Sequence, residues 1–192
     1  QDRPVAEQAD LRTLARRTAR VLAEDGRDRV RLASDASLFS GPGESPRWRA
    51  DYVPEGVVTP ISALWADQGR VDRYPGRAAE PAPVAARRFA RELRRAGVRV
   101  RGPVRGAPGA GQGLAQGTEE GADRETGAAP DEVASVESAT VGAITRRVLE
   151  VSDNEGAEVL AHHVALAVEG EGSFTTVGDA VTATLRGLGV PM

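Results

Sequence analysis

Ser152-Asp153-Asn154 is the tripeptide in this chain whose residue types and spacing could do chemistry. It sets a hydroxyl and a carboxamide two residues apart. Residues i and i+2 do not face each other on a continuous helix, but a tight turn between two helices can aim both side chains into one cleft. There the serine can relay a proton or donate a hydrogen bond. The asparagine offers a donor and an acceptor, so it can clamp a substrate amide. Asn154 is the only asparagine among the 192 residues. The same three residue types are also ordinary helix caps, and capping would account for them without any ligand.

The other chemically suggestive residues read as structural. His162 and His163 are the only histidines. Neighbours on a helix point about 100° apart, so they cannot share a metal as an i,i+4 pair does. One is expected to be partly buried and the other to face solvent. Gly106, Gly109, Gly111 and Gly113 have the composition of a phosphate loop but no strand–turn–helix frame and no lysine. Glu119-Glu120 and Asp123-Arg124-Glu125 read as solvated linker. Trp48, Tyr52, Trp65 and Tyr74 fall in one stretch, where packing with the polar edges exposed is expected rather than a ligand groove. No cofactor and no metal site are expected.

Composition narrows the chemistry further. All 25 basic residues are arginine. A lysine base, Schiff-base lysine or P-loop lysine therefore cannot come from this chain. There is no cysteine either, which excludes thiol nucleophiles, disulfides and thiolate metal sites. The net charge is −3, with arginine interleaved among Asp and Glu, a poor footprint for nucleic acid or an anionic membrane. No apolar run approaches the roughly 18 residues of a transmembrane helix. The chain opens on Gln1 with no charged-then-apolar leader, so no signal peptide is expected within it. At 40% apolar and 4% aromatic, a core is feasible but must be built from Ala, Val and Leu.

The elements that would position the tripeptide follow from periodicity. Leu11, Leu14, Ala15, Val21 and Leu22 predict a helix over about 6–25, ended by Gly26. Val30 and Leu32 alternate with arginine as a half-buried strand. Residues 40–46 read as a surface loop, and Asp67–Arg70 as a hairpin-like turn from which Val71 starts a return strand. A second helix is predicted over about 83–96, ended by Gly97, with Val98 and Val100 as the next strand, so one helix–Gly–strand unit repeats. Residues 106–130, rich in Gly, Ala and Pro, read as a linker between parts 1–105 and 131–192. Beyond it come a short strand from Val133 to Val136, a helix capped by Ser138 and running to Val151, a helix over about 155–168, and a third over about 176–186.

Several separated segments, in order, resemble the D-alanyl-D-alanine carboxypeptidase/endopeptidase family, the class C low-molecular-mass penicillin-binding proteins. They are Asp35-Ala-Ser-Leu-Phe-Ser-Gly-Pro42, Tyr52-Val-Pro54, Pro60-Ile-Ser-Ala-Leu64 with Gly69-Arg-Val71, Ala134-Ser-Val-Glu-Ser138, the run Ile144 to Leu160, and His163-Val-Ala165. The family pattern reads M-L-x-x-S-D-N followed by A-E-x-L. Here Val148 replaces Met, and Ala139-Thr-Val141 stands where proline and leucine are usual. The resemblance implies an α/β architecture: a fragment of the serine transpeptidase (beta-lactamase-like) fold over 131–192, and part of its inserted α/β domain over 1–105. It implies Ser152 as the motif serine in a proton-relay network, Asn154 as the group that holds the carbonyl of the penultimate D-Ala, and Asp153 as a structural middle position. The implied partners are peptidoglycan stem peptides ending in D-Ala-D-Ala, with beta-lactams as inhibitors, in an extracytoplasmic setting. The Ser-x-x-Lys and Lys-Thr-Gly motifs of such enzymes cannot stand in a chain without lysine. The resemblance thus implies an inactive piece of a peptidase, against the alternative of a non-catalytic cell-wall peptide-binding or structural module.

Overall fold

Asp10 sets the start of the first helix, α1 (Leu11–Glu24). Its carboxylate accepts from the Thr13 amide at 2.8 Å and the Thr13 hydroxyl at 2.7 Å, and those bonds hold its pKa below the usual carboxylate value. Asp10 itself is extended, so the helix starts later than apolar periodicity alone suggests. The computed structural model describes residues 9–71, 76–106 and 132–191. The chain divides into two compact units, each made of two separated stretches: Gln1–Asp35 with Ala86–Thr140, and Ala36–Ala85 with Val141–Met192.

In the first unit, α1 and the C-terminal part of α2 (Pro81–Arg95) each turn at a left-handed glycine, Gly26 or Gly97, and lead into a strand. The repeated unit therefore pairs with itself. β1 (Arg29–Val30) runs parallel to β3 (Arg99–Val100), and β2 (Ala33–Ser34) runs parallel to β4 (Arg105–Gly106). The single strand expected through Val30 and Leu32 is thus split in two. Its partner stretch contains Gly102-Pro103, and a proline has no N–H to give to a ladder. Ala15, Leu22, Leu93 and Val98 form the core, flanked by Ala19, Val30, Leu32, Phe89 and Val100. The strand expected from Val133 to Val136 does not form. Residues 132–140 carry no regular structure, and the Ser135 carbonyl accepts from the Arg17 guanidinium at 2.8 Å in place of a strand partner.

The second unit holds α3 (Val141–Val151), α4 (Asn154–Glu169) and α5 (Val177–Gly187), with α4 packed on both of the others. Ser138 does not cap α3. The helix starts three residues later, and the Ser138 hydroxyl donates to the Ala139 carbonyl. α4 ends in a left-handed Gly170. Residues 36–71 cross this unit mostly as turns, including the expected loop at 40–46, and pair with it at Ser40, whose amide donates to the Gly172 carbonyl at 3.0 Å. Val71, where a return strand was expected to start, has no regular structure, residues 72–75 lie outside the described residues, and Arg70 and Arg77 form an antiparallel bridge. Most of the 106–130 stretch and Tyr74 lie outside the described residues. The architecture is mixed: helices with small parallel sheets, compatible with an α/β class. Among the described residues no helix is long and apolar enough to cross a membrane.

Candidate active site

The turn between α3 and α4 is built by three residues with separate tasks. The Asp153 amide donates to the Val148 carbonyl at 2.9 Å and closes the end of α3. Ser152 supplies the reversal with φ of 53°, a left-handed conformation uncommon for a residue with a Cβ. Asp153 caps α4, its Oδ1 accepting from the Gly156 amide at 2.9 Å. A Cβ on Gly156 would lie 2.9 Å from Val148 Cγ2 and 3.0 Å from the Asp153 carboxyl, so glycine lets the two helices close this tightly. Capping therefore accounts for Asp153. It does not account for Ser152 or Asn154, whose side chains are exposed and, among the described residues, have no hydrogen-bond partner.

Beneath the turn lies a polar network that joins it to residues 59–77. Glu155, next to Asn154, is 5% exposed. Its Oε1 accepts from the Thr59 amide at 3.0 Å, and its Oε2 pairs with Arg77 Nη1 at 2.5 Å. The same guanidinium nitrogen donates to the Gln68 carbonyl at 3.0 Å. Gln68 Nε2 in turn donates to Asp153 Oδ2 at 2.6 Å. Burial pushes the Glu155 carboxyl above its usual pKa. The Thr59 amide and then Arg77 pull it back, but desolvation outweighs both. The opposing turn is tight as well: Gly69 has φ of 66° and is buried, and a Cβ there would sit 2.6 Å from Thr59 Oγ1.

The histidines are not part of this arrangement. His162 is 2% exposed, its Nδ1 is 2.8 Å from the Glu158 carbonyl, and its ring packs between Phe39 and Phe174. His163 is exposed and stacks edge-on to Phe39. Partial desolvation, with the neighbouring His162, keeps its pKa below the usual value. Trp48 packs edge-on against Phe174 at 5.5 Å, so it serves packing as expected. Among the described residues no group of His, Cys, Asp or Glu could hold a metal ion.

The sequence reading found Ser152 and Asn154 but missed Thr59, Gln68, Arg77 and Glu155. Only one local signal pointed to them, an acid in the first turn of a helix, and that is ordinary in itself. Their partnership spans up to 96 residues and has no periodicity.

The sequence profile of the D-Ala-D-Ala carboxypeptidase 3 (S13) family matches residues 75–192 of this chain, which include the whole of the helical turn just described. The chain belongs to that family. Among curated relatives, it is 30% identical over 152 residues to carboxypeptidase Rv3627c of Mycobacterium tuberculosis, a match covering 79% of this chain and 29% of that protein. It is 27% identical over 161 residues to carboxypeptidase DacB of Mycolicibacterium smegmatis, covering 84% of this chain and 31% of that protein. The S13-family chain thus spans less than a third of either relative. No solved structure matches it.

Proposed function

We propose that this chain is part of a serine-type D-Ala-D-Ala carboxypeptidase/endopeptidase of peptidoglycan maturation, and that Ser152 and Asn154 are its contribution to the active site. The observation that carries this reading is the division of labour in the turn. Asp153 does the capping, while the Ser152 hydroxyl and the Asn154 carboxamide are left exposed and unengaged among the described residues. A hydroxyl and a carboxamide held on a rigid turn suit recognition of a peptide amide and relay of its proton.

In this reading the nucleophilic serine and two lysines come from Ser-x-x-Lys and Lys-Thr-Gly segments outside the 192 residues. The nucleophile adds to the carbonyl of the D-Ala–D-Ala amide, whose acyl group Asn154 holds in place. The C–N bond breaks, Ser152 helps pass a proton to the leaving D-Ala amine, and water then hydrolyses the acyl-enzyme. Beta-lactams would acylate the same nucleophile. The chain alone would be inactive. The resemblance would place residues 131–192 in the helical lobe of a beta-lactamase-like transpeptidase fold and residues 1–105 in its inserted domain, in an extracytoplasmic protein, although residues 36–85 form one compact unit with residues 141–192.

The test uses the longer polypeptide that carries all three motifs, labelled with a fluorescent penicillin. Asn154→Ala removes hydrogen bonds to the acyl carbonyl and should slow acylation about 10- to 100-fold with the fold intact by circular dichroism. Unchanged acylation would remove Asn154 from the site. A parent polypeptide that penicillin does not label at all would favour the non-catalytic alternative.

A further inference from the structure

We propose that Gln68 is a positioning residue for the Ser152-Asp153-Asn154 turn, holding it in the conformation that presents the Ser152 hydroxyl and the Asn154 carboxamide. Its catalytic consequence rests on the peptidase reading above; its geometric content does not.

The turn is bracketed on both sides of Asn154. Asp153 is tied by Gln68, and Glu155 is tied by Thr59 and Arg77. Positions 153 and 155 therefore anchor inward, which leaves 152 and 154 outward and exposed. Of the two tethers, only the Gln68 bond reaches the tripeptide itself. Its direction is chemically determined. Gln68 Oε1 accepts from Arg70 Nη2 at 3.2 Å, so the amide nitrogen is the end that meets the Asp153 carboxylate.

Backbone conformation links the two turns independently. Among the described residues, Asp67, Gln68 and Ser152 are the only non-glycine residues with positive φ, at 51°, 53° and 53°. Such conformations persist where surrounding structure over-determines them, and they cluster at functional sites. Here all three lie in the two turns that the Gln68–Asp153 bond joins. The Gln68 turn is itself immobilised: Arg77 donates to its carbonyl, and Gly69 lies against Thr59 too closely to admit a Cβ. A firmly held amide thus reaches across to a strained turn.

Two measurements decide the proposal. Because Asn154 is the only asparagine, labelling the 192-residue chain with 15N-asparagine gives one backbone amide and one side-chain amide pair. Gln68→Met, which keeps the volume and removes the donor, should shift and broaden these resonances. Ile61→Val, a small core truncation in the same unit, should leave them in place. Asn154 resonances unmoved by Gln68→Met, or moved equally by Ile61→Val, would overturn the proposal. In the longer polypeptide, Gln68→Met should slow penicillin acylation about 3- to 10-fold, the worth of one hydrogen bond. In an Asn154→Ala background that factor should shrink, since part of the change acts through Asn154 and only the effect on Ser152 remains. An equal factor in both backgrounds would mean a merely structural role and would also overturn it. Absence of labelling in the parent defeats only the peptidase reading, since the resonances of the 192-residue chain decide the positioning role without any activity.

Discussion

Arg77→Met separates the buried ion pair from the rest of the fold. The Glu155 and Arg77 side chains are 7% and 16% exposed and meet at 2.5 Å. Removing one partner of such a pair leaves an uncompensated buried charge and costs about 3–5 kcal/mol. Two features of the site place this change near the lower end, at about 3 kcal/mol. The Thr59 amide still donates to the Glu155 carboxyl, and burial already raises its pKa, so the carboxyl can take up a proton instead of staying charged. With a urea slope of about 2 kcal/mol per M, the unfolding midpoint should fall by about 1.5 M. Trp48 and Trp65, the two tryptophans, both lie in this unit and report its unfolding by fluorescence. The pH dependence has a definite sign. A carboxyl whose folded pKa is raised binds more protons in the native than in the unfolded state, so its contribution is present at low pH and is lost as pH rises through the folded pKa. Arg77 pulls that pKa down. Removing it raises the pKa further, so the variant's deficit should widen towards about pH 8 and narrow towards about pH 5. Adding Glu155→Gln removes the stranded charge while keeping an acceptor for Thr59, and should restore most of the loss. A deficit below about 1 kcal/mol at pH 8, a larger deficit at pH 5, or a double variant no better than the single one would refute this account.

Other perturbations test neighbouring parts of the structure. Gly69→Ala combines a left-handed φ of 66° with a Cβ 2.6 Å from Thr59 Oγ1, so it should lower stability by about 2 kcal/mol or more in the same fluorescence titration. A loss under about 0.5 kcal/mol would mean that the turn and Thr59 separate easily. Leu93→Ala empties the centre of the first unit, where Leu93 is 1% exposed, and should cost about 2–5 kcal/mol in urea unfolding followed by circular dichroism. Hydrogen exchange should then show the amides of Arg99 and Arg101, which donate to Asp28 and Val30, losing protection first.

Local chemistry was legible where it acts over a few residues. The helix around Leu93, the glycines that end α1 and α2, and the break at Ser152-Asp153-Asn154 follow from apolar spacing, left-handed glycine and capping residues, all read within one or two turns of chain. The parallel pairing of the repeated helix–Gly–strand units was half legible: the repeat is visible in the residues, but the split opposite Pro103 depends on which strand pairs with it. Val133 to Val136 misled for the opposite reason. Alternation can mark a strand, but a strand exists only if a partner offers its backbone, and none does among the described residues.

Residue order alone excludes lysine and cysteine chemistry from this chain, sets two helices at a turn carrying one serine and the sole asparagine, and marks the family those residues resemble. Which of the three turn residues is the cap, and which two are left outward, emerges from the packed fold. That fold also brings Thr59, Gln68 and Arg77 under a turn up to 96 residues away. The physical reason is that helix propensity and capping are near-neighbour effects written in residue order. A buried carboxylate instead recruits whatever donors the fold can bring within about 3 Å, wherever they lie in the chain.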